Sequence, residues 1–472
     1  MDWLGSSDYV FAREVLQRGV AAVYLIAFIS AIDQFPALLG ERGLLPVTRF
    51  LRFSYARRQP TIFRWRYSDR LLIGICTGGG VVAAALVAGL PQLTAPWLTT
   101  VLFLLIWGAY LSIVNVGQTF YGFGWESLLC EAGFTVAWLG SATTSVPWTA
   151  IFLTRWLVFR LEFGAGMIKM RGGREWRDLT ALYYHHETQP MPGPFSRQAH
   201  LLPKWFHRFE VLGNHFAQLV VPFFLFAPQP VASIAAAIVI LTQLWLIVTG
   251  NFAWLNWITV ILAASAISDP VVHAVIPAWP AHGTDAGMPI WYAVPVLAAS
   301  VLLVYLSWWP ARNLLARNQL MNASFNRWHL VNAYGAFGTV TKTRFEIVIE
   351  GTDDPAGGSW KEYEFHGKPG DPARVPRWFA PYHLRLDWLM WFLALGAPGD
   401  WFDVLLARLL AADRRVLRLL RIDPFAGRAP AAVRARVYRY RFATRAEKRA
   451  TGLVWIREDR GLYAPARRAR VR

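Results

Sequence analysis

RWLVFRLEFGAGMIKMRGGREWRDLTALYYHHETQPMPGPFSRQAHLLPKWFHRFEVLGNHFAQLVVPFF, residues 155–224, sets two apolar runs around a loop dense in His, Trp, Arg and Pro. The first run carries Arg155, Arg160, Glu162 and Lys169, and the second is opened by His207, Glu210 and His215. A charge at the centre of a membrane helix costs about 3 kcal/mol, so it persists only when paired or lining a polar cavity. The stretch therefore predicts a polar centre inside a membrane protein, with the rest of the chain built around it.

The composition agrees with lipid as solvent. Of 472 residues, 55% are hydrophobic and 17% charged, against about 25% charged in a typical soluble domain. The formal net charge is +18. That charge sits between and after apolar segments, which assigns it to topology and phospholipid contact and not to nucleic acid. Cys76 and Cys130 both fall within apolar segments and make neither a disulfide framework nor a zinc motif. The first apolar run lacks a small-residue cleavage site and further runs follow it, so no cleavable signal peptide is expected.

A spanning helix needs about 20 mostly apolar residues. Runs that meet this hydropathy criterion lie at 10–32, 71–90, 97–114, 126–141, 147–168, 211–228, 231–249, 251–268 and 289–309. The fourth is short and contains Glu126 and Glu131. The loops at 33–70 and 169–210 are rich in Arg, whereas 91–96, 142–147 and 269–290 contain no Lys or Arg. About nine spans put both basic loops on one side, and the positive-inside rule places that side in the cytoplasm. The expected fold is an α-helical polytopic membrane bundle over 1–312, followed at 313–472 by a mixed α/β, strand-rich peripheral domain with a basic tail. In that domain FEIVIE (345–350) alternates as a half-buried strand, KEYEF (361–365) does the same, and 401–420 has helical periodicity. ARVYRYRF (435–442) alternates again, DWLMWFLAL (387–395) suits the membrane interface, and ARRARVR (466–472) reads as a solvated or lipid-contacting tail.

Three constellations carry possible chemistry. His207, Glu210 and His215 are the candidate catalytic residues, with His200 nearby. Their spacing departs from HExxH, so no metal and no cofactor is expected, and the plain reading is a set of interfacial polar groups. The second is a loop set for holding a client or ligand: Trp176, Arg177, His185, His186, Glu187, Trp205 and Arg208. The third is a buried ion-pair network of Arg155, Arg160 and Glu162 with Glu126 and Glu131 across the bundle. Gly122, Gly124, Gly164 and Gly166 suit close helix packing more than phosphate binding.

Long strings in order give the chain a family likeness. RGLLPV (42–47), LSIVNVGQTFYGFGWESLLCEAGF (111–134), the 155–224 stretch, NFAWLNW (251–257), HLVNAYGAFG (329–338), KPGDP (368–372), PYHLRLDWLMWF (381–392) and DPFAGR (423–428) resemble the lipase maturation factors over nearly the whole length. The resemblance implies a multi-pass membrane chaperone that assists folding and assembly of lipases, in the endoplasmic reticulum membrane in eukaryotic relatives. It implies a lipase client engaged through the C-terminal domain, set in that family on the lumenal side. The excess of Arg over Lys suggests a bacterial-type member, placed in the inner membrane. The rival reading is a membrane-embedded enzyme acting on a lipid, quinone or client side chain through the His/Glu-rich loop.

Overall fold

The computed structural model describes residues 4–279, 287–356, 358–397 and 399–468. Its helical part contains α1 (Val10–Leu38), α2 (Asp69–Ala88), α3 (Pro96–Val114), α4 (Gly124–Val136), α5 (Trp148–Arg171), α6 (Leu182–Thr188), α7 (Lys204–Leu219) and α8 (Val231–Thr249). It continues through α9 (Leu255–Ala263), α10 (Asp269–Val275), α11 (Ile290–Leu306) and α12 (Trp308–Leu315).

Five helical segments among the described residues are long and apolar enough to cross a membrane: α1, α2, α3, α8 and the α11–α12 run. A sixth is obtained if α9 and α10, bent by 104° at their junction, count as one span. The count of nine is not reached, and the reasons are local. Helix α4 has 13 residues, about 20 Å of helix against an apolar core of about 30 Å. Helix α5 has the length, with 24 residues, but carries Arg155, Arg160, Glu162, Lys169 and Arg171. The expected 211–228 span begins earlier, as α7, and breaks at Val220 before the short turn Val221–Phe224.

Every residue of α4 is buried, and the helix packs against α1, α3, α5 and α9. It is an inner helix walled from lipid by its neighbours. Close approach is built into this core: a Cβ on Gly133 of α4 would lie 2.1 Å from the Tyr24 hydroxyl of α1.

The C-terminal part forms an antiparallel sheet of β1 (Arg344–Thr352), β2 (Lys361–Glu362), β3 (Ala432–Phe442) and β4 (Trp455–Arg468), in the order β2-β1-β3-β4. Ile347 pairs with Val437 across the central strands. Helices α13 (Arg385–Ala394) and α14 (Asp400–Leu410) pack against β1 and β3 respectively.

Several sequence expectations for this part change. In β1 Ile347 and Ile349 are buried as expected, but Glu346 is buried as well and Phe345 is 37% exposed, so the strand is covered on both faces over most of its length. β1 is an inner strand under α13, and Glu346 is held there by Arg344 at 2.6 Å and Lys368 at 2.9 Å. The 401–420 helix stops at Leu410, because Ala412 adopts φ 51° and Asp413 caps a separate turn. DWLMWFLAL does not lie flat at an interface: Trp388, Leu389, Met390 and Leu393 are buried. Within ARRARVR, 466–468 belong to β4, and 469–472 lie outside the described residues.

Candidate functional site

The polar centre is organised by the two carboxylates of α4. Five residues apart, Glu126 and Glu131 end up with separate partner sets. Glu131 pairs with Arg160 of α5, both 2% exposed at the side chain. It also accepts from the Asn332 backbone N–H at 2.8 Å, the Asn332 side chain at 2.9 Å and the Tyr334 hydroxyl at 2.7 Å. Arg160 donates in turn to the Asn332 carbonyl at 2.7 Å. A buried ion pair is tolerable when most of the remaining lone pairs and protons are matched. The HLVNAYG segment matches Glu131 and one Arg160 nitrogen, while Arg160 Nε has no hydrogen-bond partner among the described residues.

Glu126 finds its cation in the C-terminal part. Arg385 Nη1 donates to it at 2.5 Å, Tyr110 donates its hydroxyl, and His383 Nδ1 lies 3.3 Å away. The Arg385 guanidinium stacks 3.5 Å from the Tyr121 ring centroid and also donates to the Phe120 carbonyl. Around His383 stand Phe123, Trp125, Trp254 and Trp388. Burial first, and then the positive Arg385, push the His383 imidazole down to about 4.

The expected five-residue network therefore divides. Arg160 pairs with Glu131. Arg155, two turns from Glu162 on the same face of α5, instead donates to the carbonyls of Ser265 and Leu225 and lies over the Tyr9 ring. Glu162 accepts from Gln218 at 3.1 Å and Gln243 at 2.6 Å. Lys169 is matched by Asn214 and Gln218, each at 2.8 Å. Amide side chains, which have no distinctive spacing, thus satisfy charges that sequence reading gave to one another.

The His-rich loop is brought to one place by α6, α7 and the C-terminal sheet. Glu210, one turn after His207 on α7, has Oε2 3.4 Å from His207 Nδ1 and Oε1 3.6 Å from His186 Nε2. His215 falls outside this group, with Nε2 3.0 Å from the Trp176 carbonyl. Glu187 accepts from the Phe442 backbone N–H at 2.7 Å, and Arg344 donates to the carbonyls of Glu187, Gln189 and Pro190. The loop is thereby clamped by β1 and β3. Burial, aided by the nearby His186, pushes His185 down to about 3.

The seven client-loop residues separate by exposure. Arg177, Trp205 and Arg208 are exposed, Glu187 is half-buried, and Trp176, His185 and His186 are buried. Trp176 donates its indole N–H to the Phe337 carbonyl at 2.7 Å. On α7 the exposed Trp205, Phe209, Leu212 and Phe216 recur at helical spacing and form one apolar stripe.

Two clefts, of about 260 Å³ and 220 Å³, adjoin the YGFGW turn of 121–125. Neither is lined by His186, His207 or Glu210. The glycines serve close approach: a Cβ on Gly164 would lie 2.5 Å from the Tyr334 carbonyl oxygen, and one on Gly166 would lie 2.7 Å from Leu219. Sequence reading missed His383, Arg385, Asn332 and Tyr334. Their signal was a His-X-Arg and an Asn-X-Tyr placed in otherwise apolar strings, too short to single out.

Comparison with known proteins covers nearly the whole chain. The family described as Lipase maturation factor transmembrane domain matches residues 11–274, and Lipase maturation factor C-terminal domain matches residues 330–465. The chain is 38% identical to Lipase maturation factor 1 of Bos taurus, over 98% of this chain and 90% of that protein. Against Lipase maturation factor 1 of Homo sapiens it is 39% identical, covering 98% and 88%. Lipase maturation factor 2 of Homo sapiens is 29% identical, covering 94% and 81%. No solved structure matches.

Proposed function

The chain belongs to the lipase maturation factor family, and on that premise we propose that it assists the folding and assembly of lipases as a multi-pass membrane protein without chemistry of its own. The observation that carries this reading is the identity of 38–39% with proteins named Lipase maturation factor 1 across 98% of the chain. Residues 1–312 act as the membrane bundle and 313–472 as a domain fastened to it. Helix α5 crosses as an inner helix, its charges turned to protein and not to lipid. The client surface comprises the exposed Arg177, Trp205 and Arg208, because aromatic and Arg side chains anchor protein interfaces most effectively. His185, His186, Glu187 and Trp176 hold that surface in shape from behind. The predominance of Arg among the 48 basic residues favours a bacterial inner membrane. Affinity capture of the full chain from native membranes tests the reading: a lipase should be recovered, and its absence from repeated captures would count against it.

A further inference from the structure

His207 and Glu210 are one turn apart on α7, and α6 brings His186 against them. One ring nitrogen of each histidine and one carboxylate oxygen lie within 4.8 Å of one another. The histidine side chains are 3% and 2% exposed, and that of Glu210 is 13% exposed. His186 Nε2, aimed into this group, is buried with no hydrogen-bond partner. Such an orphan is costly unless something else meets it.

The surroundings orient the other atoms toward the same point. His207 Nε2 lies 3.4 Å from the His200 carbonyl oxygen, to which it donates its proton, leaving the Nδ1 lone pair directed at Glu210. The Trp245 indole N–H donates to Glu210 Oε1 at 2.5 Å, which leaves Oε2 toward His207. His186 Nε2, His207 Nδ1 and the Glu210 carboxylate therefore converge on one buried point, where a single cation would meet all three. A carbonyl on the far nitrogen of a histidine and an N–H on the far oxygen of a carboxylate are the outer partners that metal ligands usually have.

We propose that His186, His207 and Glu210 bind one divalent transition-metal ion of the zinc class. Two imidazoles and one carboxylate suit zinc, and the mixed nitrogen set disfavours calcium and magnesium, which take oxygen ligands. Around a tetrahedral ion with bonds of about 2.0–2.1 Å, neighbouring ligand atoms stand about 3.3 Å apart. The 3.4 Å and 3.6 Å run to opposite oxygens of Glu210, and one ligand atom from each residue lies within 4.8 Å of the others. Binding the ion therefore draws the three side chains together by up to about 1.5 Å. The fourth position is left to water. With neither cleft at the cluster, the ion acts as a brace that ties α6 to α7 and, through Trp245, to α8. His215, grouped with His207 and Glu210 by sequence, lies outside the cluster, and His186 of α6 takes its place.

The test uses the full chain in detergent, stripped with a chelator and then given Zn²⁺ or Co²⁺ alone. Bound metal per chain is measured after gel filtration, together with the visible spectrum of the cobalt form. The expected result is one ion per chain, a tetrahedral cobalt spectrum and a zinc-dependent rise in the thermal midpoint. His215→Ala should keep all three. His186→Ala should bind roughly tenfold more weakly or worse. Glu210→Gln, which preserves shape and the Trp245 contact, should do the same and covers the case in which His186→Ala does not fold. Failure of the wild-type chain to hold stoichiometric metal, or undiminished affinity in the folded variants, would overturn the proposal.

Discussion

Arg385 donates to Glu126 at 2.5 Å with neither side chain exposed, so the C-terminal region is fastened to the middle of the membrane bundle by a buried ion pair. Glu131, one and a half turns along α4, is matched by Asn332 and Tyr334 from the same region. Both carboxylates of the central helix thus depend on chain that follows the last membrane helix. The bundle and the C-terminal part are one structural unit at α4.

Removing one partner of a buried pair leaves an uncompensated charge, at about 3–5 kcal/mol, whereas replacing both with apolar residues is often close to neutral. Glu126→Leu and Arg385→Leu should each lower stability in detergent by about that amount. The double variant should recover much of the loss. Thermal unfolding of the three proteins checks this, and additive losses would show that the two side chains act separately.

A chain ending at residue 312 should insert but fail to pack. It would keep the Arg160–Glu131 pair yet strand Glu126 and expose Phe123, Trp125 and Trp254, which surround His383 in the intact protein. Limited proteolysis of the truncated protein should cut within 115–125. Protection equal to that of the full chain would mean that the bundle closes over α4 unaided.

Low pH should loosen the same junction. His383 is packed against Glu126, Arg385 and four aromatic rings, and its pKa falls from 6.5 to about 4 in the folded protein. The unfolded chain takes up a proton that the folded one does not, so stability is full above the ordinary value and declines as pH falls from about 6.5 toward 4. The largest loss from this group is roughly 3 kcal/mol. His383→Gln, which still offers Trp125 an acceptor, should flatten that part of the pH profile. An unchanged slope would assign the acid sensitivity elsewhere.

The sequence made some of this legible and hid the rest for physical reasons. Runs of apolar residues located the long helices well, since hydropathy over a full span is a strong signal, and 231–249 coincides with α8. The count of nine is not reached among the described residues, because apolar runs also mark inner helices such as α4, which is short and carries two buried glutamates. Arg160 and Glu131 could be placed in one buried network because both charges stand out in apolar runs. Arg385 could not be assigned to Glu126, since 259 residues separate them. In β1, Glu346 looked like a solvent-facing position because its partners Arg344 and Lys368 are not distinguished by periodicity.

The exposed α7 residues should matter by degrees. Trp205 is 70% exposed, and Arg208 spends one nitrogen on Tyr183 at 3.0 Å. Trp205→Ala and Arg208→Ala should each weaken lipase capture by roughly three- to tenfold at unchanged abundance, as interface anchors do. A fall of roughly 100-fold in lipase maturation on His207→Ala, with capture and abundance intact, would instead assign acid–base or metal chemistry to the loop.

As a lipase maturation factor, this membrane protein should be needed for lipases to reach their active form. The most direct measurement is the specific activity of a secreted lipase made in cells that lack their own maturation factors, with and without this chain. Without the chain the lipase should be inactive and retained, with it active and secreted, and Glu126→Leu should lose that rescue. Equal lipase activity in the presence and absence of abundant, correctly inserted protein would contradict it.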